Sequence, residues 1–123
     1  MANTNRTKGN NLERKVAKDL REIGFSFCKT SRQASRLLDD CQVDLAFVPF
    51  NIQCKNGYEN SWPRAARIFT DMEGLLKKNY PQEDSIHGYP KIVIHHVQKK
   101  TYAYIEYDLL LKLLKNGKDK GLF

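Results

Sequence analysis

Apolar positions recur along the chain in two periods. Leu12, Val16, Leu20 and Ile23 fall at helical spacing and predict a helix over 11–23, stopped by Gly24. A second stripe, Ala65, Ile68, Phe69, Met72, Leu75 and Leu76, predicts a helix to about residue 78, with Pro63 suited to its first turn. A third helix is expected over 109–114, capped by Asp108. Segments 25–28, 43–48, 51–55, 91–97 and 101–107 read as strands. The second and third are expected to form a hairpin over Pro49-Phe50, and the last two a hairpin over 98–100. Segments 30–41, with a helical turn near 34–38, and 79–90 read as loops. Residues 1–8 form a polar N-terminal tail and 115–123 a basic, poorly structured C-terminal one. The predicted order is αβββαββα, an α/β fold. One mixed central sheet of about five strands flanked by helices is the economical way to bury these faces.

Polar groups break that pattern where strands are most apolar. Asp44 sits inside Val43-Asp44-Leu45-Ala46-Phe47-Val48, and a carboxylate in such a strand is costly unless compensated. On the next strand Gln53 and Lys55 are two apart and share a face. A two-residue loop at Pro49-Phe50 would set Asp44 opposite Lys55 and Ala46 opposite Gln53, whereas a three-residue loop would set Asp44 opposite Asn56. Phosphodiester hydrolysis needs an activated water, a neutralised phosphate and a stabilised leaving oxygen, and a divalent ion supplies much of all three. Mg²⁺ prefers oxygen ligands. Asp44, the Gln53 side-chain carbonyl and the Cys54 backbone carbonyl offer them, with Lys55 on the phosphate or the attacking water. Glu13, at the flank of the first stripe, is a fourth candidate. Each has a plainer reading. Glu13 fits a capping box with Asn10, Asp44 suits a structural carboxylate held by backbone amides, and Gln53 and Lys55 suit solvent-facing strand positions.

The chain has 123 residues and a formal charge of +7, a single domain biased toward polyanionic partners, nucleic acid before membrane. No apolar run approaches a membrane span, and the N-terminus lacks the apolar core of a signal peptide. Three widely spaced cysteines, Cys28, Cys41 and Cys54, argue against a disulfide scaffold and for a reducing, cytoplasmic setting. With His87, His95 and His96 they show no usual zinc-ligand spacing. Basic clusters at Arg6/Lys8 and at Lys29/Arg32/Arg36 flank the proposed site and are the best candidates for phosphate contacts. Contacts of that kind predict binding that is nearly sequence-independent and weakens steeply with salt.

Lys8-Gly9-Asn10-Asn11-Leu12-Glu13-Arg14 followed by Gly24-Phe25 resembles the K-G-x-x-x-E-R…G-F opening of archaeal-type Holliday junction resolvases. Val43-Asp44-Leu45 and Ile52-Gln53-Cys54-Lys55 resemble the same family's V-D-[LIV] and [IV]-E-V-K segments, in the PD-(D/E)xK nuclease superfamily. The later helix and the 90–107 hairpin are similar in order to the family's second half. The resemblance implies a restriction-endonuclease-like core and a homodimer. It implies paired, Mg²⁺-dependent (Mn²⁺ as substitute) nicks in four-way DNA junctions, an activity of recombination and repair. By motif position it implies Glu13, Asp44, Gln53 and Lys55 as the catalytic set, with Arg14 near the phosphate backbone and Lys29 where the family tends to have arginine. Gln53 stands where the family usually has glutamate, which removes one negative charge. The 30–41 segment exceeds the family's serine-containing loop, so Ser31 and Ser35 are left unmatched. Ile68, Phe69 and Met72, or Tyr102 and Tyr104, are the candidate dimer surfaces. Two other readings stand beside this one. The first is a PD-(D/E)xK nuclease for nicked, flapped or duplex DNA. The second is a DNA-binding module with a decayed site, for which Gln53 is the reason.

Overall fold

The computed structural model describes residues 5–57 and 62–123. Its elements run α1 (Asn5–Glu22), β1 (Lys29–Thr30), α2 (Ser31–Ala34), α3 (Arg36–Asp40), β2 (Leu45–Ala46), β3 (Asn51–Asn56), α4 (Ala65–Asn79), α5 (Asp84–His87), β4 (Lys91–Val97), β5 (Lys100–Ile105) and α6 (Tyr107–Asp119). The fold is mixed α/β, as expected, with the five strands divided between two open sheets. No helix among the described residues is long and apolar enough to cross a membrane.

Helix α1 begins at Asn5, well before the expected start, so much of the predicted tail 1–8 is helical. It ends as expected. Gly24 takes φ 121, its amide bonds the Arg21 carbonyl, and the Phe25 amide bonds that of Leu20. This is the paired bonding of a Schellman stop, which glycine makes without steric cost. Leu12, Val16 and Ala17 are buried against Cys28, Leu45, Val48, Ile52 and Cys54, with Ile92 and Ile94 packed alongside. Residues 25–28, expected as a strand, turn instead, and pairing starts at Lys29.

The expected hairpin of 43–48 with 51–55 does not form as a ladder. β2 pairs antiparallel with β1, setting Lys29 against Ala46. β3 pairs in parallel with β4, setting Gln53 against Val93 and Lys55 against His95, and β4 pairs antiparallel with β5. The reason lies at Asp44. Its amide bonds the Ile52 carbonyl at 2.7 Å while its own carbonyl accepts from the Ser31 amide at 2.8 Å, so its two backbone groups serve β3 on one side and the first residue of α2 on the other. Its side chain then takes the next amide of β3. Asp44 therefore faces Ile52 and Cys54, not Lys55.

The parallel β3–β4 pair requires a crossover, and α4 supplies it. Met72 and Leu76 of α4 are buried with Leu38, Cys41, Val43 and Ala46 in a second core. Met72 is fully enclosed and is not a dimer surface. The 30–41 segment is two short helices, with Ser35 capping the second through the Leu38 amide. The β4–β5 turn is Gln98-Lys99, at φ 51 and 67, which matches the twist of the flanking strands. The predicted C-terminal tail is also corrected. α6 runs to Asp119, and the Phe123 ring lies so close over Gly117 that a Cβ there would sit 2.6 Å from Cε2.

Candidate active site

Four elements meet around Glu13 and Asp44. The helical period puts Glu13 one position from Leu12 and four from Ala17, inside the buried stripe, and it is 5% exposed. Since α1 starts at Asn5, eight residues before Glu13, neither Asn10 nor Glu13 is at the helix start, and the capping-box reading is excluded. Glu13 instead meets Arg32 of α2, whose guanidinium approaches both carboxylate oxygens at 3.3 and 3.4 Å. That contact draws the Arg32 pKa upward. The Arg32 side chain is 40% exposed and the Glu13 side chain only 7%, so the pair spans from core to solvent.

Asp44 accepts the Cys54 amide at 2.7 Å. Its carboxyl is nevertheless pushed up to about 7, from an ordinary 3.8. Burial is the largest cause. The Cys54 amide opposes it, the Glu13 and Asp39 charges add to it, and Lys55 pulls the other way. Asp44 thus feels two further acids and one lysine. It also brackets Gln53, since its amide bonds the residue before and its carboxylate the residue after.

Gln53 is 7% exposed, and its side-chain oxygen is buried without a hydrogen-bond partner among the described residues. The same is true of the Ser31 hydroxyl and the Asn10 side-chain oxygen. Ser31 is fully buried and its amide is bonded to Asp44. Asn10 lines a cavity of about 170 Å³ with Glu13, Arg14, Thr30, Arg32 and Gln33. An unsatisfied buried oxygen costs about 1–3 kcal/mol, so each of the three is a position where a polar or cationic partner would be favoured. In a regular strand the amide and carbonyl of one residue leave on the same edge, so the Cys54 carbonyl also faces β2. The Cys54 thiol packs on the other side, in the core under α1, where burial raises its pKa strongly.

Of the expected set, Asp44 bonds the Cys54 amide and lies within the fields of Glu13 and Lys55. Gln53 and Lys55 alternate with Ile52 and Cys54, which pack under α1, so their side chains leave β3 on the face opposite Glu13. Arg14 and Arg32 line the cavity beside Glu13. Lys29 and Arg36 are exposed on the β1 and α3 side. Lys8 lies in α1, and its side chain is outside the described residues. Among the described residues no three His, Cys, Asp or Glu side chains converge to hold a metal by themselves. A cation here would depend on amide and backbone oxygens as well as the two carboxylates. Three participants had no sequence signal: Asn10 as an orphan acceptor, Ser31, and Asp39 as a third charge. Arg32 was legible as a cation but not as the partner of Glu13.

Comparison with protein-family models, with curated proteins and with solved structures returns no match for this chain.

Proposed function

We propose that the protein is a divalent-metal-dependent endodeoxyribonuclease of PD-(D/E)xK type, acting on branched DNA and on four-way junctions first. The observation that carries this reading is Asp44. It is a carboxyl pushed up to about 7 by burial, near a second buried acid and bonded to the amide that follows Gln53, whose side-chain oxygen has no partner among the described residues. Such a set fits a hard cation, which would ionise Asp44 and satisfy the orphan oxygen. Asp44, Gln53, the Cys54 carbonyl and Glu13 would hold Mg²⁺ or Mn²⁺. The bound ion supplies charge neutralisation at the phosphate and a water of lowered pKa.

The chain's own groups do the positioning. Lys55, two residues beyond Gln53 on β3, holds the scissile phosphate or orients the attacking water. Arg32 and Arg14, at the cavity mouth, neutralise the flanking phosphates. Water gives up a proton to solvent and attacks phosphorus, the bond to the 3′ oxygen breaks, and that oxygen leaves with a proton taken from solvent, so the products are a 5′ phosphate and a 3′ hydroxyl. The order α1, β1, β2, β3, α4, β4, with helices on both sides of β3, is consistent with a restriction-endonuclease-like core. Paired nicks need two sites, most simply supplied by a homodimer. The leucines of α6, among them Leu110, Leu111, Leu113 and Leu114, are between 38% and 54% exposed and offer it an apolar surface.

The test is cleavage of a synthetic four-way junction with Mg²⁺, against matched duplex and flap substrates. Asp44→Asn and Lys55→Ala are expected to abolish cutting while junction binding persists. Cutting that survives both substitutions ends the assignment. A second reading, a DNA-binding module with an impaired centre, is favoured by the Glu13–Arg32 pair, which already engages one of the acids. Junction binding by the wild type without cutting in either Mg²⁺ or Mn²⁺ would select it.

A further inference from the structure

Phe47 costs the fold twice. It adopts φ 64, a left-handed conformation unfavourable for a bulky side chain, and its ring is 64% exposed. It stands at the mouth of an open cavity of about 490 Å³, with Phe50, Tyr80 and Tyr89 among the walls and Ser35 and Glu83 as polar groups. The floor includes Leu45 and Ala46, the residues that directly follow Asp44. At roughly 3.3 Å per strand residue, Phe47 lies about 10 Å along the chain from Asp44. Two cations flank the cavity. Lys29 is paired with Ala46, and Arg36 follows Ser35. Both are exposed, and neither forms an ion pair with a described residue.

We infer that Phe47 and this cavity receive an unstacked nucleobase of branched DNA, one or two nucleotides from the scissile phosphate. The inference rests on the nuclease reading and deepens it. A branch point exposes bases whose stacking is already broken, and aromatic faces stack on any base. Lys29 and Arg36 match the phosphates on either side of such a nucleotide. The left-handed backbone turns the Phe47 ring outward, and the base supplies the apolar contact the ring lacks. Glu83 adds an acceptor for an exocyclic amino group.

The experiment measures binding of a labelled four-way junction by fluorescence polarisation without divalent ions. Wild type, Phe47→Ala and Phe47→Tyr are each compared on junctions lacking one base at successive positions around the branch. Phe47→Ala is expected to weaken binding about tenfold to hundredfold, and Phe47→Tyr to bind like wild type. At one position, removing the base should weaken wild-type binding by a similar factor and leave Phe47→Ala binding unchanged. The exposed position of Phe47 keeps loss of folding from explaining the result, and a thermal melt checks it. A Phe47→Ala loss that is equal on every junction, or absent, overturns the inference while the nuclease reading stands if wild type still cuts. A wild-type protein that binds no junction overturns both.

Discussion

Replacing Asp44 by asparagine should stabilise this protein, and only above acid pH. The folded state holds the Asp44 carboxyl near 7, whereas an unfolded chain leaves it near 3.8. Below about pH 3.8 the group is protonated in both states and contributes nothing. Between 3.8 and about 7 the unfolded chain ionises first, so each pH unit costs the fold about 1.36 kcal/mol. Above about 7 both states are ionised and the penalty stays level, near 4 kcal/mol by that arithmetic. Asparagine carries no charge and keeps an oxygen for the Cys54 amide, now 2.7 Å from Asp44. The expected gap between variant and wild type is therefore about zero at pH 4 and about 2–4 kcal/mol at pH 8, after allowing for water entering the site. Urea denaturation in EDTA at pH 4, 5.5 and 8 measures it. With a slope of about 2 kcal/mol per molar, the pH 8 midpoints should differ by about 1–2 M. Adding Mg²⁺ at pH 8 should raise the wild-type midpoint and leave Asp44→Asn nearly unmoved. A variant less stable than wild type at pH 8, or a gap equal at pH 4 and pH 8, refutes the reasoning.

Three further substitutions probe the same site. Arg32→Ala leaves Glu13 buried without its guanidinium. Because Arg32 is 40% exposed at its side chain and solvent screens the pair, the expected loss is about 1–2 kcal/mol in the same urea assay. Arg14→Ala, on an exposed residue, should change stability by less than about 0.5 kcal/mol. Gln53→Glu adds a third carboxylate at a buried position. It should lower stability in EDTA at pH 8, tighten Mg²⁺ binding by calorimetry about tenfold, and retain or raise junction cutting. A large loss of cutting with metal binding intact would assign the Gln53 amide a different task.

Long-period features were legible in the sequence. The stripe of α1 and the face of α4 repeat over several turns, and Gly24 stops α1 where its position predicted. What failed were features set by one side chain acting on another. Asp44 was readable as a costly acid in an apolar strand. Nothing local shows that its carboxylate would replace a ladder acceptor and end the β2–β3 pairing. Glu13 read more readily as a capping residue than as a site carboxylate, and what excluded the cap was the start of α1 at Asn5, in a stretch too polar to advertise a helix. Likewise 115–119 looked like a loose basic tail by composition. The Lys115–Asp119 pair and the Phe123 ring over Gly117 hold the end of the chain in place. Two-residue strands such as β1 and β2 carry no periodicity at all, so their pairing is a tertiary fact.

The site also explains why its two acids are treated differently. Glu13 lies within the buried stripe of α1, where Arg32 reaches it from the solvent side and pairs with its carboxylate. Asp44 lies against a backbone amide and within the fields of Glu13 and Asp39, and burial foremost, with those charges, pushes its carboxyl up to about 7. The negative charge of the region is thus met by an arginine at Glu13 and by a raised carboxyl at Asp44, while Gln53, Ser31 and Asn10 keep oxygens without a partner among the described residues. Glu13, Asp44 and the Gln53 side-chain oxygen are the groups that would hold a divalent ion, which would supply countercharge to the acids. Arg32, relieved of part of its attraction to Glu13, would then be free to turn toward a phosphate. Ion binding and DNA binding would in that case be coupled through a single guanidinium, with the stability lost at Asp44 regained in the loaded complex.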